Sequence, residues 1–373
     1  MARERYIDQV RPLVDILPAV AAEEDFALKG GTAINLFYRD LPRLSVDVDL
    51  TFLPIGDRAQ SLADIDAAMD RIALAGSKAR GATATRIAGG GGGATRVLFQ
   101  RGAATVKVET SPVTRGVVFQ PEIKRVAPAV EDDFGFAETR LVAFEDLYAG
   151  KLHAALDRQH PRDLFDVKLL YENEGITEDL FRAFLVYVAS SNRPPHELLH
   201  PNLSPLAEVF ETEFSGMTVA AVTIADLEQV RIRLIEDVQS RMIGNAAQFL
   251  HTLVNGEPDF DVIDLPFAAD LPAAQWKIRN ILKLRNTNPE KHAAQRTSLQ
   301  QFPLEFLFVV LQWVGWISEN IFSWTFAAEI GCYARKTSGK REKPTGNSFR
   351  GHLSMPGMPD MMRERFDRVP DPI

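Results

Sequence analysis

The sequence predicts an α+β fold, in which a domain built on a mixed β-sheet (residues 1–140) precedes a helical domain (residues 141–296). Three observations predict this arrangement. In the first part, short segments alternate apolar and polar residues with a period of two, as half-buried strands do. After residue 141, apolar residues recur at helical spacing instead. The chain has 373 residues, 46% of them hydrophobic, which is enough for two or three domains with a sizeable core.

The first domain is predicted to contain strands, turns and a few helices. Residues 6–22 space their apolar side chains helically, but Pro12 and Pro18 interrupt the pattern and predict a short or broken helix. The five glycines of residues 89–93 are too flexible to hold a phosphate alone, so we interpret them as a hairpin loop rather than a binding loop. The predicted strands cover residues 26–28, 44–52, 83–87, 95–99 and 104–110, with a further candidate at 117–119, and the predicted helices cover residues 32–38 and 62–74.

The second domain is predicted to be helical, with a proline-rich connector at residues 193–205. Residues 297–373 form an apolar segment and a tail. The apolar run of residues 306–317 is shorter than the ~20 residues that span a bilayer, so a buried or partner-facing helix is favoured over a membrane span or an atypical extension. Residues 335–373 lack periodicity and are predicted to be disordered. The predicted helices cover residues 144–157, 161–175, 177–189, 224–253 and 276–284.

Composition and charge narrow the class of protein. The net charge of −8 disfavours general binding to polyanions, so any contact with nucleic acid needs a local basic patch. The single cysteine, Cys332, excludes an intrachain disulfide and a cysteine-rich zinc site and fits the reducing cytoplasm. The first residues carry acids early and lack a long apolar run, so no secretory signal is expected. No Walker A, Rossmann, Gly-x-Ser-x-Gly or HExxH pattern is present.

The strongest functional pattern lies between Leu28 and Leu50, in LKGGTAINLFYRDLPRLSVDVDL. Near its end, Asp47 and Asp49 lie on the same face of a predicted strand. Neighbouring carboxylates repel each other, and a cation between them relieves the repulsion. Carboxylate oxygens suit Mg²⁺ or Mn²⁺, which also bridge substrate phosphates. Upstream, Gly30 and Gly31 let the backbone approach a phosphate closely, and the following helix can present N–H groups to it.

Glu109 completes a set of three carboxylates on predicted strands. Metal ions held by Asp47, Asp49 and Glu109 can activate a hydroxyl nucleophile and neutralise a triphosphate and its leaving pyrophosphate. Gly31 and Thr32 are then expected to hold the β- and γ-phosphates. The alternative is that the acids form a solvated sheet face and that the glycines only make a tight turn.

Together, the glycine pair and the acid-x-acid strand resemble the first motif of the DNA polymerase β-like nucleotidyltransferase superfamily. More closely, FALKGGTAINLFYRDLPRLSVDVDLTF resembles the AbiEii/AbiGii toxin family of nucleotidyltransferases. Thr32 stands where many superfamily members have serine and keeps the hydroxyl. A second segment, EDLYAGKLHAALDRQHPRDLFDVKLL, resembles that family's helical segment, and the resemblance covers residues 20–295 but not the tail. The matching positions in the second segment are Lys151, Arg158, Arg162, Asp163 and Asp166.

The second segment also has a physical interpretation. Lys151 and Arg158 are seven residues apart, on one face of a helix, and can direct a cation towards triphosphate oxygens. Asp163 and Asp166 are three apart and can orient Lys151 or an arginine. The alternative is an ordinary salt-bridge network between two helices. Lys151 is the residue that we expect to contact the nucleotide directly.

The resemblance implies a Mg²⁺-dependent (or Mn²⁺-dependent) enzyme with Asp47, Asp49, Glu109 and Lys151 as catalytic residues, the first three as metal ligands. Such an enzyme moves an NMP from an NTP to an acceptor hydroxyl, with RNA, for example a tRNA 3′ end, as the expected acceptor. A cognate antitoxin is the expected partner, while a membrane and recognition of a DNA sequence are not expected. The implied nucleotide-binding residues are Gly30, Gly31, Thr32, Arg43, Ser45, Lys151, Arg158, Arg162, Asp163 and Asp166.

Several alternatives stay open from the sequence. Arg43 can reach a phosphate or be a plain surface arginine, and the basic run of residues 277–285 can contact RNA or be a solvated helix face. A small-molecule nucleotidyltransferase, of the kind that modifies antibiotics, would share the same core. A catalytically silent module that binds a nucleotide or a partner would also share it.

Overall fold

The strands of the chain are β1 (Phe26–Lys29), β2 (Asp47–Phe52), β3 (Thr83–Ile87), β4 (Arg96–Arg101), β5 (Ala104–Thr110), β6 (Glu122–Arg125) and β7 (Glu138–Leu141). In the computed structural model, which describes residues 2–88 and 95–299, they form one sheet in the order β3-β4-β5-β2-β1-β7-β6. β2 runs parallel to β5, and β1 runs parallel to β7, whereas the other neighbours are antiparallel. The predicted mixed sheet is therefore confirmed.

The helices account for most of the remaining described residues and confirm the α+β class. After Leu141 the chain is helical, as predicted, and residues 289–299 are helical as well. The proposed division at residue 140 falls at the end of β7 and stays a proposal. The helices are α1 (Ala2–Ala21), α2 (Gly30–Ala33), α3 (Arg58–Arg80), α4 (Pro128–Phe134), α5 (Phe144–Arg158), α6 (Pro161–Asn173), α7 (Glu178–Ala189), α8 (Pro195–Leu199), α9 (Ala207–Glu213), α10 (Ile224–Ser240), α11 (Gly244–Asn255) and α12 (Pro272–Thr287).

The core lies between the sheet and the helices that cover it. Along β2, the side chains of Val48, Leu50 and Phe52 are buried, while those of Asp47 and Asp49 alternate with them. Helices α1 and α3 pack on each other and on the strands, and α5 contacts α2 next to the start of β2. The apolar alternation thus fixes which face of β2 carries the carboxylates.

Helix α1 contradicts the expectation of a short or broken helix. It runs for 20 residues with Pro12 and Pro18 inside it. Each proline removes one backbone donor, which disfavours a helix. However, Val10, Leu13 and Leu17 are fully buried, and burying such side chains yields about 1.5–3 kcal/mol each. Tertiary packing therefore outweighs the local cost of the prolines.

The start of β2 also differs from the prediction, because the strand begins at Asp47 and not at residue 44. The residues before it pair elsewhere: Arg43 forms an isolated β-bridge with Thr218, and the N–H of Leu44 donates to the carbonyl of Met217 at 3.0 Å. The helix after the glycine pair begins at Gly30 itself and continues as a π-helix over Ile34–Tyr38. The helix thus starts at the first glycine of the motif, and β2 starts at its first aspartate.

Other boundaries moved as well. The candidate strand at residues 117–119 is wrong, because the N–H groups of Val118 and Phe119 donate to the Asp146 carboxylate instead of to a strand. The predicted helix 224–253 is two helices, α10 and α11. The connector at residues 193–205 contains α8, while α3 and α12 extend beyond their predicted ends.

Two predicted segments lie outside the described residues: the glycine run 89–93 and the tail, including the apolar segment 306–317. On either side of the glycine run, β3 and β4 pair antiparallel with Ile87 opposite Arg96, as a hairpin requires. Among the helices of residues 2–88 and 95–299, none is long and apolar enough to cross a membrane.

Candidate active site

A row of four charged residues crosses the sheet where the first motif predicted a site. Lys29 on β1 is in register with Asp49 on β2, Asp49 with Glu109 on β5, and Glu109 with Arg96 on β4. Residues in register on neighbouring strands present their side chains on the same face. Two residues back along β2, Asp47 is in register with Lys107. We call Asp47, Asp49 and Glu109 the carboxylate row.

Cations flank the carboxylate row. The Lys107 ammonium lies 3.0 Å from Glu109 Oε1 and 3.7 Å from Asp47 Oδ2. On the other side of Glu109, Arg96 Nε lies 2.9 Å from Oε2. Asp47 and Glu109 therefore have partly exposed ion-pair partners, which solvent screens.

Asp49 carries the least compensated charge of the row. Burial raises its pKa to about 6, and the like charges of Glu109 and Asp47 add to this effect. Lys29 and Lys107 act in the opposite direction but do not cancel it. Burial in turn lowers the pKa of Lys29, which Asp49 opposes. A carboxylate in this environment favours any further cation that reaches it.

The donor atoms of the carboxylate row suit a hard divalent cation, since all are carboxylate oxygens. Within the described part of the chain, no three His, Cys, Asp or Glu side chains form a ready metal cluster in the present side-chain positions. Lys107 reaches both Asp47 and Glu109 and supplies positive charge in that space. The chemistry of the donors thus fits the predicted metal, and the ligand roles stay a prediction.

Glycine is required at positions 30 and 31 because neighbouring side chains lie too close for a Cβ atom. Gly30 has φ +77°, and a Cβ there would lie 2.5 Å from Asp49 Oδ2. A Cβ on Gly31 would lie 2.6 Å from Arg43 Nη2 and 2.8 Å from Ser45 Oγ. Any larger residue would displace these groups, so the glycines place the first turn of the helix directly against the carboxylate row.

The Thr32 hydroxyl points inward and organises the motif. Its side chain is fully buried; its hydroxyl donates to the carbonyl of Asp47 and lies 3.1 Å from Ser45 Oγ. This bond fixes the first residue of β2 relative to the helix. Only the backbone N–H groups of Gly31 and Thr32 are then suited to the predicted phosphate contacts, since the first turn of a helix leaves such groups without helical acceptors.

A second cluster of charges lies behind the glycine pair, between α5 and α6. Asp166 accepts from Arg43 Nε at 2.7 Å, and Lys151 Nζ lies 3.0 Å from its other oxygen. Lys151 also donates to Asp163 at 2.8 Å, and Arg158 Nε donates to Asp163 at 2.6 Å. We call these five residues the salt-bridge network.

The two buried carboxylates of the salt-bridge network each have two cationic partners. Burial would raise the pKa of Asp163, but Lys151 and Arg158 outweigh it and hold the pKa well below its ordinary range. Burial likewise works against ionisation of Asp166, and Arg43 with Lys151 lowers its pKa. Lys151 has two carboxylate partners and is almost fully buried. The interhelical network that the sequence left as an alternative is therefore present, and a direct nucleotide contact by Lys151 stays a prediction.

Arg158 is the member of the network that is open to solvent. Its side chain is 63% exposed, and Asp49 is among the charges that raise its pKa, after Asp163. Arg158 therefore lies within electrostatic reach of the carboxylate row. Arg162, predicted with it, lies elsewhere: its Nη2 is 3.5 Å from Glu213.

Sequence reasoning missed three residues of the site. Lys29 faces Asp49, and its position at the end of an apolar strand just before the glycine pair was a usable signal. Buried Asn35 donates to the carbonyl of Gly31 at 2.8 Å and lies 3.5 Å from Asp166, so it links the two clusters. Asp146 accepts two backbone N–H groups, and burial raises its pKa to about 6. Neither Asn35 nor Asp146 stands in a pattern that the sequence alone would single out.

The part of the chain that carries this site matches a known protein family. Residues 11–280 match the family described as nucleotidyl transferase AbiEii toxin, type IV toxin–antitoxin system. The chain belongs to this family. The match spans both the carboxylate row and the salt-bridge network, and it confirms the resemblance that the two sequence motifs indicated.

Among solved structures, the chain is similar to MenT4, a nucleotidyltransferase toxin from Mycobacterium tuberculosis H37Rv. The TM-score is 0.50 at 14% sequence identity, over 76% of this chain and 94% of that one. At this identity the likeness shows a shared fold. No curated protein sequence matches the chain significantly. The AbiEii family membership identifies a nucleotidyltransferase toxin of the type IV class, and the fold shared with MenT4 agrees with it.

Proposed function

We propose that this AbiEii-family protein transfers an NMP from an NTP to a hydroxyl of RNA, for example a tRNA 3′ end, with release of pyrophosphate. One observation carries the proposal: the glycine pair packs directly against Asp49, so that a helix start and the carboxylate row converge on one point. Helix N–H groups attract phosphate, and grouped carboxylates attract the cations that accompany it.

In this proposal Asp47, Asp49 and Glu109 hold Mg²⁺ or Mn²⁺. The support is the composition of the carboxylate row, which is all oxygen, and the raised pKa of Asp49, which comes first from its burial and then from the like charges of Glu109 and Asp47. When bound, the metal would neutralise phosphate charge and favour ionisation of the acceptor hydroxyl. Lys107 and Lys29 keep the carboxylates charged and oriented until then.

In this proposal Arg158 and the backbone N–H groups of Gly31 and Thr32 hold the phosphates of the nucleotide, while the carboxylate row holds the metal. Arg158 is exposed and within electrostatic reach of Asp49, so its guanidinium can contact phosphate oxygens. Lys151 acts as a positioning residue, because it fixes Asp163, to which Arg158 is anchored. Arg43 and Ser45 support the glycine turn from behind, and no role in nucleotide contact is proposed for Arg162.

The proposed setting is a cytoplasmic toxin–antitoxin pair. Modification of RNA would block translation and arrest growth, and a cognate antitoxin would relieve the arrest. The support is the type IV toxin–antitoxin family to which the chain belongs.

The test is incubation of the purified protein with total RNA, Mg²⁺ and each α-labelled NTP in turn. We expect label from a preferred NTP on a discrete RNA species, and loss of labelling when EDTA removes the metal. Label that appears on an added antibiotic instead of RNA would favour the small-molecule enzyme. No labelled product with any NTP or acceptor, from protein that binds NTP, would favour the catalytically silent module.

A further inference from the structure

A groove of about 790 Å³ lies beyond the carboxyl ends of β2 and β5. Its walls come from the segments after these strands, from the start of α3 and from the first turns of α12. Three arginines and two aspartates line it together with exposed apolar side chains. Its size suits a nucleotide-sized ligand, for which pockets measure about 300–1,000 Å³. None of the carboxylate row or salt-bridge network lines this groove.

Arg115 is the unusual residue of the groove. Its side chain is only 5% exposed, yet Nε and Nη1 find no hydrogen-bond partner among the residues that the structure describes. Burial lowers its pKa, and the nearby cation Arg58 lowers it further. Asp57 is the opposing charge, but its Oδ1 already caps α3 by accepting from Ala59 N at 2.8 Å and Gln60 N. A buried guanidinium with free donors is costly unless an anion completes it.

The loop that carries Arg115 is fixed in place. The N–H of Gly116 donates to the carbonyl of Phe52 at the end of β2, at 2.8 Å. Gly116 has φ +77°, and a Cβ there would lie 2.7 Å from Leu271 Cδ2 and 3.1 Å from Ile55. This close packing holds Arg115 against the start of α12, so the groove is preformed and needs no loop closure.

Aromatic side chains stand beside the arginines. Trp276 is 51% exposed and Phe267 is 47% exposed, and both line the groove. Exposed aromatic rings next to arginines are typical of single-stranded RNA sites, where bases stack on rings and guanidinium groups hold phosphates. In such sites the stacking tolerates any base, because every base has a π-face.

The groove also distinguishes three basic residues of the run 277–285 from one another. Lys277 is buried and donates to the carbonyl of Arg193 at 2.6 Å, so it does not face a ligand. Arg279 lines the groove, whereas Arg285, on the same helix, lies outside it and donates to the carbonyl of Asn255 at 3.1 Å. Of the two arginines, only Arg279 is placed to contact RNA there.

We propose that this groove binds a single-stranded segment of the acceptor RNA, with phosphates on Arg115, Arg58 and Arg279 and a base stacked on Trp276. The inference rests on the proposed function, since it names where its acceptor is held. Asp49 and Ile55 are six residues apart along β2 and the segment after it, at most about 20 Å of extended chain. A short strand of RNA can therefore occupy the groove while its end reaches the carboxylate row.

The test measures binding of a fluorescein-labelled single-stranded RNA by anisotropy, without NTP. We expect Trp276→Ala to weaken binding about tenfold, because the substitution removes the ring on which a base stacks. Trp276→Phe should recover much of the loss. Arg279→Ala should weaken binding and lower the slope of log K against log salt by about one phosphate contact. Arg285→Ala is the matched control, since it removes the same charge from the same helix outside the groove.

Arg115 gives a second readout that a purely structural role would not give. Arg115→Met should weaken RNA binding while leaving thermal stability equal or higher, because it removes a buried guanidinium whose Nε and Nη1 lack hydrogen-bond partners among the described residues. If Arg115→Met instead lowers stability and leaves RNA binding unchanged, Arg115 is structural and the phosphate contact assigned to it is wrong.

The outcomes separate the groove from the proposed reaction. Unchanged RNA binding by Trp276→Ala and Arg279→Ala overturns the groove, even if the wild-type protein labels RNA. Weakened binding by both supports the groove, even if no NMP reaches RNA and the proposed reaction fails. If Trp276→Ala and Arg279→Ala bind RNA normally but the antitoxin no longer relieves the growth arrest that they cause, the groove is a protein-docking surface and the inference is wrong.

Discussion

The carboxylate row and the salt-bridge network pack against neighbouring residues of the same glycine pair, and their carboxylates differ in how their charge is compensated. In the row, Asp47 and Glu109 share partly exposed lysine and arginine partners, whereas Asp49 is buried opposite Lys29. In the network, Asp163 and Asp166 are fully buried, and each accepts two cations. The pKa of Asp49 is raised, whereas the pKa values of Asp163 and Asp166 are lowered.

This difference separates a binding group from a supporting one. A carboxylate with a raised pKa still gains from another cation, so its environment is complete only with a ligand. A carboxylate with a lowered pKa already has its counter-charges, and removing it would leave buried cations without partners. Asp49 is therefore suited to bind a cation, whereas at Glu109 burial is outweighed by Lys107 and Arg96, which lower its pKa. The network is suited to hold α5, α6 and the first motif in place.

The glycine pair connects the two clusters mechanically. Gly30 packs on Asp49 of the row, and Gly31 packs on Arg43 of the network. Asn35 adds a second link, from the Gly31 carbonyl towards Asp166. A change in the network is thus expected to move the phosphate-facing turn, while a change in the row should leave the fold intact.

The largest expected effect is on catalysis, from Asp49→Ala. Because Asp49 is proposed to hold the metal, NMP transfer should fall at least about 1,000-fold, or about 4 kcal/mol in activation free energy. Thermal stability should not fall, since the substitution removes a poorly compensated buried carboxylate. Transfer of labelled NMP and thermal unfolding of the same sample measure both. Retention of full activity would show that the row is not the catalytic centre.

The next largest effect is on stability, from Asp166→Ala. It leaves Arg43 and Lys151 buried with one carboxylate fewer, and breaking a buried pair costs about 3–5 kcal/mol. Urea unfolding measures the loss. Glu172→Ala is the matched control, because Glu172 lies on the same helix in an exposed pair with Lys168 and should cost less than about 0.5 kcal/mol. Equal losses for the two variants would contradict the structural role of the network.

Local patterns predicted the carboxylate row well. Strict alternation placed Asp47 and Asp49 on one face of β2, and the same alternation gave the bounds of β5 and the direction of Glu109. The glycine pair marked a turn that only residues without a Cβ can make. These features depend on neighbours in sequence, which is why the sequence was sufficient.

Long-range contacts were the part that the sequence could not give. Arg43 and Asp166 are 123 residues apart, and nothing local to Arg43 distinguishes a surface arginine from the buried partner of Asp166. Lys29 faces Asp49 only because β1 and β2 pair antiparallel. Helix α1 continues through two prolines because of its packing. In each case the deciding energy comes from the folded environment.

A third prediction compares how the stability effects of substituting Asp49 and Asp166 change with pH. The measurements are made in buffer with EDTA, so that no metal is bound. The folded pKa of Asp49, about 6, exceeds its ordinary 3.8, so wild-type stability falls as pH rises between these values. Asp49→Asn should therefore gain stability relative to wild type across that window, by up to about 3 kcal/mol above pH 6. The folded pKa of Asp166 is lowered, so the loss caused by Asp166→Asn should be full above pH 3.8 and shrink below it. Urea unfolding at a series of pH values measures the change in unfolding free energy that each substitution causes. If both substitutions stabilise the protein, or both destabilise it, the proposed difference between Asp49 and Asp166 is wrong.

The smallest expected effect is from Arg158→Gln, in the network residue that lies within electrostatic reach of Asp49. Because the Arg158 side chain is 63% exposed, its loss should cost less than about 1 kcal/mol of stability. Since it is proposed to contact the nucleotide phosphates, KM for NTP should rise about tenfold with a smaller change in kcat. Arg162→Gln is the matched control, four residues further on and paired with Glu213 outside both clusters. If both variants raise KM equally, general loss of positive charge explains the effect. If neither does, Arg158 belongs to the network and makes no contact with the nucleotide.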